Sequence, residues 1–533
     1  MSNDIPEEVL IFLFDLHDAS RNMADKEAVE ELYKVKFNEL TDKYYSNTAW
    51  PDSKLIEREC MRNGEPDDFF LVFYKEMTIR HLFTKLKPQL QDHVRAWNNY
   101  KQLFNNLLTI KEPEMTVSTM WANDIIQEFV YHFQDFCQLR TAAVSNTTSS
   151  DKNNNDIEML KKNQDIWTLP EIVTILNNLM NFYKTKGNNK NKNKKDNNDI
   201  NTTTNNNSSD NNNCLVLLGY FALLEKARLE CLLGDFSASL SILDVDVDLT
   251  DKTERFTEVP SCHVSVLYHA GVSMVMMRRY DQAVQTLSDI ILYVSRNLNK
   301  SSTSGQMKKI DEKSLALVTL AYVLCPSKRL SDQVMEHMES KAPERLRKLQ
   351  NGDTATFVDI FEKVCPKFIA PAVPKYDNNS SSNVGNACHE TFRCQVNNFA
   401  NQVEEHLSLG NIRSYLSLYS SIHIEKLASL NECPLTSFES KLRGFKHRVL
   451  SPQINSQEAL NTDDSKATTG ITESQVNYFI EGDLLNIDCS TNEQGRGREA
   501  TNFFLSCIKK NSATKKEIAN MMDRHVYGVK PIQ

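Results

Sequence analysis

The chain has 533 residues, of which 40% are hydrophobic, and carries a formal net charge of -9 from 61 basic and 70 acidic side chains. This length predicts two to four folded units, and the acidic balance disfavours a protein whose whole surface binds nucleic acid. The absence of a basic N-terminal leader, and of any apolar run near the roughly 20 residues that span a bilayer, predicts a cytosolic or nuclear protein. Twelve cysteines without a Cys-x-x-Cys pair predict free thiols.

Residues 1–144 are predicted to form a helical region. Its clearest segment, "MWANDIIQEFVYHFQDFCQL", repeats large apolar side chains at spacings of four and three, which is the period of one helix face. These side chains are Trp121, Ile125, Phe129, Phe133 and Phe136. Because such a wide apolar face must be covered by other helices, the stripe is interpreted as core and not as a cofactor site.

Two polar stretches, residues 145–156 and the Asn-rich residues 187–213, are predicted to be disordered insertions on either side of a helical segment at 157–186. They contain almost no apolar side chain. Segments of this composition cannot bury enough surface to offset the entropy lost on folding.

Residues 214–299 contain two segments that resemble each other. In each, an apolar helix stops at a short turn, at Gly234 in the first and at Arg278 in the second, and a new helix follows. Phe236, Leu240 and Leu243 match Tyr280, Val284 and Leu287 at a constant offset. The match predicts helix-turn-helix repeats that stack as in an α-solenoid.

Residues 300–491 are predicted to end in a winged helix at 411–489. Three short amphipathic helices begin near Ile412, Ile424 and Phe438, and Thr436 and Glu439 have the spacing of a capping box. A β-hairpin, "VNYFIEGDLLNI", follows. The predicted fold is therefore mostly α, a helical-repeat array followed by a winged helix and a C-terminal helix within a tail at 492–533.

The hairpin is the candidate subunit interface, because a strand at the edge of a sheet can pair with a strand of a neighbour. Its predicted turn is Gly482-Asp483, and an apolar alternation precedes it. The candidate interface residues are Val476, Tyr478, Ile480, Leu485 and Ile487 of the hairpin and Phe503, Phe504 and Ile508 of the C-terminal tail.

A winged helix also invites a DNA-binding interpretation. A helix that reads a groove would collect its basic side chains on one face. At about 100° per residue, the basic groups of the third helix surround its apolar stripe instead. They are Lys441, Arg443, Lys446, His447 and Arg448. This distribution favours a packing module over a nucleic-acid reader.

No motif for catalysis, cofactor binding or metal binding is found. Cys388, His389 and Cys394 lie close together, but no second cluster completes a set of four ligands. "GRGREA" at 495–500 resembles a dinucleotide fingerprint without the parallel strand and acidic partner that the motif needs. The prediction is a protein that is not an enzyme and has no catalytic residue, cofactor or metal.

An array of helices that leads into a winged helix resembles the PCI-domain family, which is found in translation initiation factor 3, the proteasome lid and the COP9 signalosome. Eight segments, in order along most of the chain, are similar to a PCI subunit of eukaryotic translation initiation factor 3. They are "ELYKVKFNELTDKYYSNTAWP", "FYKEMTIRHLF", "WANDIIQEFVYHFQDF", "LLGDF", "MMRRYDQA", "CPKF", "IRSYLSLYSSIHIEKLA" and "FKHR".

The resemblance implies a non-catalytic subunit of a cytoplasmic multisubunit complex that supports assembly of the 43S and 48S pre-initiation complexes on the small ribosomal subunit and mRNA recruitment. The implied partners are other initiation factor 3 subunits, of the PCI and MPN types, and the small ribosomal subunit. Messenger or ribosomal RNA would be contacted indirectly, and no membrane or small-molecule substrate is expected. The alternative is a PCI scaffold subunit of a proteasome-lid or signalosome type of complex.

Overall fold

The structure, a computed structural model, is mostly helical. It describes residues 5–21, 26–60, 68–109, 115–145, 151–195, 214–247, 249, 254–297, 304–325, 330–341, 343–373, 386–444 and 476–489, with isolated positions at 512, 514–515 and 518. The chain divides into two compact units: the first comprises Met1–Val323 and Leu330–Ala400, and the second Leu324–Arg329 and Asn401–Gln533.

The first unit begins with a bundle of helices. They are α1 (Glu7–Arg21), α2 (Lys26–Glu31), α3 (Phe37–Tyr44), α4 (Ser53–Cys60), α5 (Asp68–Lys85), α6 (Leu90–Thr109), α7 (Thr119–Ser145), α8 (Asp151–Lys162) and α9 (Leu169–Lys195). A π-helical stretch, Leu32–Lys36, joins α2 to α3. The predicted apolar stripe of α7 is buried along its whole length, from Trp121 to Phe136, as the helical period requires.

The two predicted insertions need corrected boundaries. Helix α8 begins at Asp151, inside the stretch predicted to be disordered at 145–156, and α9 extends to Lys195, beyond the predicted boundary at 187. Buried anchors such as Leu160 and Leu179 hold these helices. Extending an established helix costs little per residue even where the sequence is polar, which is why composition alone misplaced both ends.

The repeats follow. They comprise α10 (Cys214–Leu233), α11 (Phe236–Asp246), α12 (Pro260–Met276) and α13 (Tyr280–Asn297). Gly234 and Arg278, one in each of the two turns, have positive φ angles of 89° and 61°. The Asp235 side chain caps α11 by accepting a hydrogen bond from the Ala238 backbone N–H at 2.9 Å. The predicted mostly α fold with helical repeats is confirmed.

In the first unit an extended strap, residues 365–373, lies over the repeats. Helices α14 (Ser304–Leu324), α15 (Asp332–Lys341), α16 (Pro343–Gln350) and α17 (Thr354–Val364) lead into it. Phe368 packs edge-on against Phe236, and the Ile369 backbone N–H donates to the Leu232 carbonyl at 2.9 Å. The strap thereby satisfies a carbonyl at the end of α10 that the helix leaves unpaired.

The winged helix does not begin with a separate helix at 411. Helix α18 (Asn386–Leu418) runs continuously through Gly410 and supplies the first of the three predicted helices as its last turns. A single glycine costs a helix interior only about 1 kcal/mol. Flanking apolar anchors such as Val403 and Leu416, both buried, offset that cost.

Candidate subunit interface

The winged helix in the second unit consists of the last turns of α18 and the short elements that follow it. They are β1 (Ser421–His423), α19 (Ile424–Leu430), a helix at 435–444 that we call α20, β2 (Val476–Glu481) and β3 (Leu484–Cys489). The predicted residues Phe445 and Val449 of the third helix lie outside the described residues.

One small hydrophobic core holds these elements together. Its buried members are Ile412, Leu416, Ile422, Ile424, Leu427, Ala428, Phe438, Leu442, Tyr478 and Leu485. The hydroxyl of Tyr478 donates to the Leu442 carbonyl of α20. The hairpin is therefore fixed to the third helix by a buried hydrogen bond as well as by packing.

The sheet has three strands in the order β1-β3-β2, so β3 is central and β2 is the outermost strand of the hairpin among the described residues. Both strand pairs are antiparallel. Gly482, with a φ of 62°, takes the first position of the two-residue turn between β2 and β3, where a hairpin of the II′ type favours glycine.

The register fixes which backbone groups of β2 point outward. The Ile487 N–H donates to the Ser420 carbonyl at 2.8 Å, on the side of β3 away from β2, so the Tyr478–Ile487 pair is not a hydrogen-bonded pair. Because such pairs alternate in an antiparallel ladder, Phe479 bonds to Asn486 and Ile480 does not bond to Leu485. The backbone N–H and carbonyl of Ile480 therefore point away from β3.

The predicted interface residues separate into two groups. Tyr478 and Leu485 are buried in the core of the winged helix, and Ile487 packs against it. Ile480 continues the apolar alternation of β2 but is 42% exposed, because it lies on the edge strand, whereas its cross-strand neighbour Leu485 on the central strand is buried. The side chains of Val476, Phe503, Phe504 and Ile508 lie outside the described residues.

Sequence reasoning missed two features of this surface. Phe479 is 53% exposed on the face opposite the core, where the alternation predicts a polar side chain. Strand β1 has only three residues and no alternating signal that could have predicted it. Phe479 and Ile480 together form an exposed apolar tip on β2, which we call the wing tip.

The described basic side chains of the third helix do not indicate a nucleic-acid-binding face. Lys441 and Arg443 of α20 are exposed, and Arg443 lies 3.7 Å from the Glu439 carboxylate on its own helix. Lys446, His447 and Arg448 lie outside the described residues. A surface ion pair of this kind is weak and is typical of a solvated face.

A second concentration of ionisable groups lies inside the first unit. We call it the buried charge cluster, and it consists of Glu76, Arg80, Asp124, Glu128, Glu225 and Arg228. Arg80 lies 3.6 Å from Glu76 and 3.5 Å from Asp124. The Tyr33 hydroxyl donates to Asp124 at 2.7 Å, and the Arg80 guanidinium lies 5.0 Å from the centre of the Tyr33 ring. Burial raises the pKa of Glu76.

The cluster continues to helix α10 through α7. Arg228 pairs with Glu225 at 2.8 Å and lies 3.9 Å from the centre of the Tyr131 ring. Burial raises the pKa of Glu128, on α7, to about 7, although Arg80 and Arg228 oppose the shift. Three helices of the first unit, α5, α7 and α10, thus meet through charged side chains that are buried or only partly exposed.

This cluster makes stability depend on pH at Glu128. A raised pKa means that the folded state binds the proton more tightly than the unfolded state, so this group destabilises the fold above pH 7 and ceases to do so as pH falls toward 4.5. Because the side chain is partly exposed, we expect Glu128→Gln to raise the free energy of unfolding by only about 1–2 kcal/mol at pH 8.

The difference between Glu128→Gln and the unchanged protein should be much smaller at pH 5 than at pH 8, and should disappear below pH 4.5. Urea unfolding followed by tryptophan fluorescence measures it, because the four tryptophans, at positions 50, 97, 121 and 167, all lie in the first unit. Glu336→Gln, on the exposed face of α15, is the control. Equal stability of Glu128→Gln and the unchanged protein at pH 8 would contradict the raised pKa of Glu128.

The cluster and its neighbouring histidines have the features of structural groups. His132 is buried, and desolvation lowers its pKa to about 3, which leaves it neutral at physiological pH. A groove of about 90 Å³ lies between α4, α5 and α6, lined in part by Trp50, Lys75 and Arg95, and its lining includes no side chain of the buried charge cluster.

The described part of the chain holds no group of three His, Cys, Asp or Glu side chains that could bind a metal ion. Cys394 is exposed on α18, while the side chains of Cys388 and His389 are not described. Among the described helices, none combines the length and apolar character needed to span a bilayer.

Comparison with known proteins gives consistent relatives. The family model described as "RNA polymerase I-associated factor PAF67" matches residues 92–511. Eukaryotic translation initiation factor 3 subunit L of Nematostella vectensis is 30% identical over 96% of this chain and 92% of its own length. The subunits L of Gallus gallus and Homo sapiens are each 28% identical over 93% of this chain and 84% of their own length.

A helical-repeat array followed by a winged helix is consistent with the class of PCI-domain proteins. The eight segments quoted above resemble subunit L among the subunits of that class, and this resemblance is confirmed. The chain belongs to the family of eukaryotic translation initiation factor 3 subunit L.

Proposed function

We propose that this chain is a non-catalytic subunit of the eukaryotic translation initiation factor 3 complex in the cytoplasm. In that complex it supports assembly of the 43S and 48S pre-initiation complexes on the small ribosomal subunit and the recruitment of mRNA. The observation that carries the proposal is its relationship to named subunits L over 93–96% of the chain. The same names favour this function over a scaffold role in a proteasome lid or signalosome.

The proposed partners are other subunits of the factor, of the PCI and MPN types, and the small ribosomal subunit, with RNA contacted only indirectly. The net charge of -9 supports contacts with protein over contacts with phosphate. The mostly helical fold, with no metal-binding group or helix able to span a membrane among its described residues, is compatible with a scaffold role.

The wing tip is the proposed joint with a neighbouring subunit. At Ile480 the outermost strand of the described sheet directs its backbone donor and acceptor away from β3, where a strand of a partner can add to the sheet. The exposed side chains of Phe479 and Ile480 lie on opposite faces of that edge. An added strand would therefore gain both hydrogen bonds and apolar contacts.

Proline at Ile480 tests this joint. It removes an outward N–H and an exposed side chain but leaves the β2–β3 hydrogen bonds intact, because the Ile480–Leu485 pair has none. We expect Ile480→Pro to reduce recovery of initiation factor 3 subunits with the tagged chain by about 10-fold or more, while Ile480→Ala keeps the N–H and loses less. Proline at Asn477 would instead break the hairpin, since that N–H points toward Asp488.

Mass spectrometry of the affinity-purified chain measures both outcomes, with circular dichroism as a control for folding. If the unchanged chain recovers neither initiation factor 3 subunits nor small ribosomal subunits, the proposed function is wrong. If the unchanged chain recovers them and Ile480→Pro does so equally well, the function stands and the joint lies elsewhere, for example in the C-terminal tail around Phe503 and Phe504.

A further inference from the structure

Helix α1, the first helix of the described chain, is held in place by the packing of its inner face. Its inner face buries Val9, Phe12, Leu13 and Leu16. Phe12 contacts the rings of Phe37 and Trp50 with centroid distances of 6.4 and 6.2 Å. Because these contacts fix the helix, the positions of its outer side chains are set before anything binds to them, which lowers the entropy cost of binding.

The outer face of α1 carries an unusual combination of side chains. Ile11 is 52% exposed and Phe14 is 44% exposed, and their spacing of three places them side by side on the helix surface. Exposed carboxylates flank them at both ends of the same face: Glu7 on one side and Asp15 and Asp18 on the other. We call these five residues the acidic stripe.

The charges of the acidic stripe are largely uncompensated within the described structure. A lysine of α3, Lys43, lies 2.7 Å from the neighbouring Glu8, but among the described residues no cation forms an ion pair with Glu7 or Asp15. The one ion pair of Asp18 with another described residue is with His17, at 3.3 Å. An occupant of the acidic stripe would therefore gain by bringing positive charge to both ends of an apolar contact.

We propose that the acidic stripe binds an amphipathic helix of a partner protein that presents two or three apolar side chains flanked by lysine or arginine. Apolar anchors in line at helical spacing, with complementary charges on both sides, are the features of helix-to-helix recognition. This inference concerns the first helix of the chain and does not depend on the joint proposed for the winged helix.

Charge excludes the other occupants. RNA phosphates and anionic lipid surfaces would be repelled by Glu7, Asp15 and Asp18. A second copy of this chain would place the same carboxylates opposite one another, and it carries the same net charge of -9. The partner is therefore a basic protein segment.

The probe for the test is a synthetic amphipathic helix with leucines on one face and flanking lysines, and the control peptide has glutamate at every lysine position. Fluorescence anisotropy measures binding of each peptide to the full chain. We expect the lysine peptide to bind, its affinity to fall as salt is raised, and the glutamate peptide to bind at least about 10-fold more weakly.

Three variants identify the surface. Ile11→Ser with Phe14→Ser and, separately, Asp15→Asn with Asp18→Asn should each weaken binding of the lysine peptide by about 10-fold. Val245→Ser, which alters an exposed apolar residue on α11, should leave the affinity unchanged. All these side chains are exposed, so folding is expected to persist, and circular dichroism checks it. Equal binding of the two peptides, or unchanged affinity in the Ile11 and Phe14 variant, would overturn the proposal.

Discussion

Replacing Arg80 by methionine is expected to lower the free energy of unfolding of the first unit by about 3–5 kcal/mol at pH 7. Arg80 is the cation shared by Glu76 and Asp124, at 3.6 and 3.5 Å. Methionine fills a similar volume but leaves the buried carboxylate of Glu76 and the partly exposed carboxylate of Asp124 with no cation to oppose their charges. The cost arises from those stranded anions more than from the lost contacts.

The loss should be smaller at low pH. Burial already raises the pKa of Glu76 and of Asp124, and removing the nearby cation raises both further, so protons neutralise the stranded carboxylates as pH falls. Urea unfolding followed by tryptophan fluorescence at pH 7 and pH 5 measures this.

Arg95→Met is the matched control for Arg80→Met. Arg95 pairs with Asp92 at 3.6 Å on the exposed face of α6, and a surface pair contributes at most about 1 kcal/mol. Equal effects of the two substitutions would contradict a cluster held together by Arg80.

The repeats could be predicted from sequence because their signals are local. The apolar period, the turn at Gly234 and the matching positions such as Phe236 and Tyr280 all lie within short windows of the chain. The predicted end of the first repeat helix at Leu233 and the predicted start of the next helix at Phe236 consequently agree with the bounds of α10 and α11 in the structure. The ends of α8 and α9 did not, because buried anchors at Leu160 and Leu179 extend those helices into polar sequence.

The candidate interface could be predicted only in part. The hairpin and its turn have a strong local signal, whereas the strand order does not, because a three-residue strand such as β1 carries no periodicity. The sequence therefore left open which strand of the hairpin is outermost. It also could not indicate that Ile480 is exposed, since that exposure depends on which strand lies at the edge of the sheet.

The buried charge cluster could not be predicted at all. The contacts of the cluster join α5 to α7 and α7 to α10, across long separations in sequence. In the sequence, each of its charged residues taken alone resembles a solvent-exposed one. Only the fold brings Arg80 to Asp124. Local patterns predict helices well, but they carry no information on which helix faces are brought together.

Gly219 shows the same limit, because its role depends on a neighbouring helix. It lies within α10, inside the apolar run "CLVLLGYFALL", where any apolar residue would satisfy the pattern. A Cβ atom at this position would lie 2.5 Å from the Leu179 carbonyl oxygen and 2.8 Å from the Tyr183 Cβ, both on α9. Glycine is therefore required for the two backbones to approach each other.

Gly219→Ala is expected to lower the free energy of unfolding of the first unit by about 2–4 kcal/mol. In an ordinary helix interior the same change stabilises by about 1 kcal/mol, so the sign itself is informative. Helix α9 must move to relieve the clash, because a backbone carbonyl cannot rotate away as the end of a side chain can.

Gly444→Ala is the control, since a Cβ there meets nothing within 4 Å. Urea unfolding followed by tryptophan fluorescence measures Gly219→Ala, and circular dichroism measures Gly444→Ala. A stabilising Gly219→Ala would show that α9 and α10 do not pack this closely in solution.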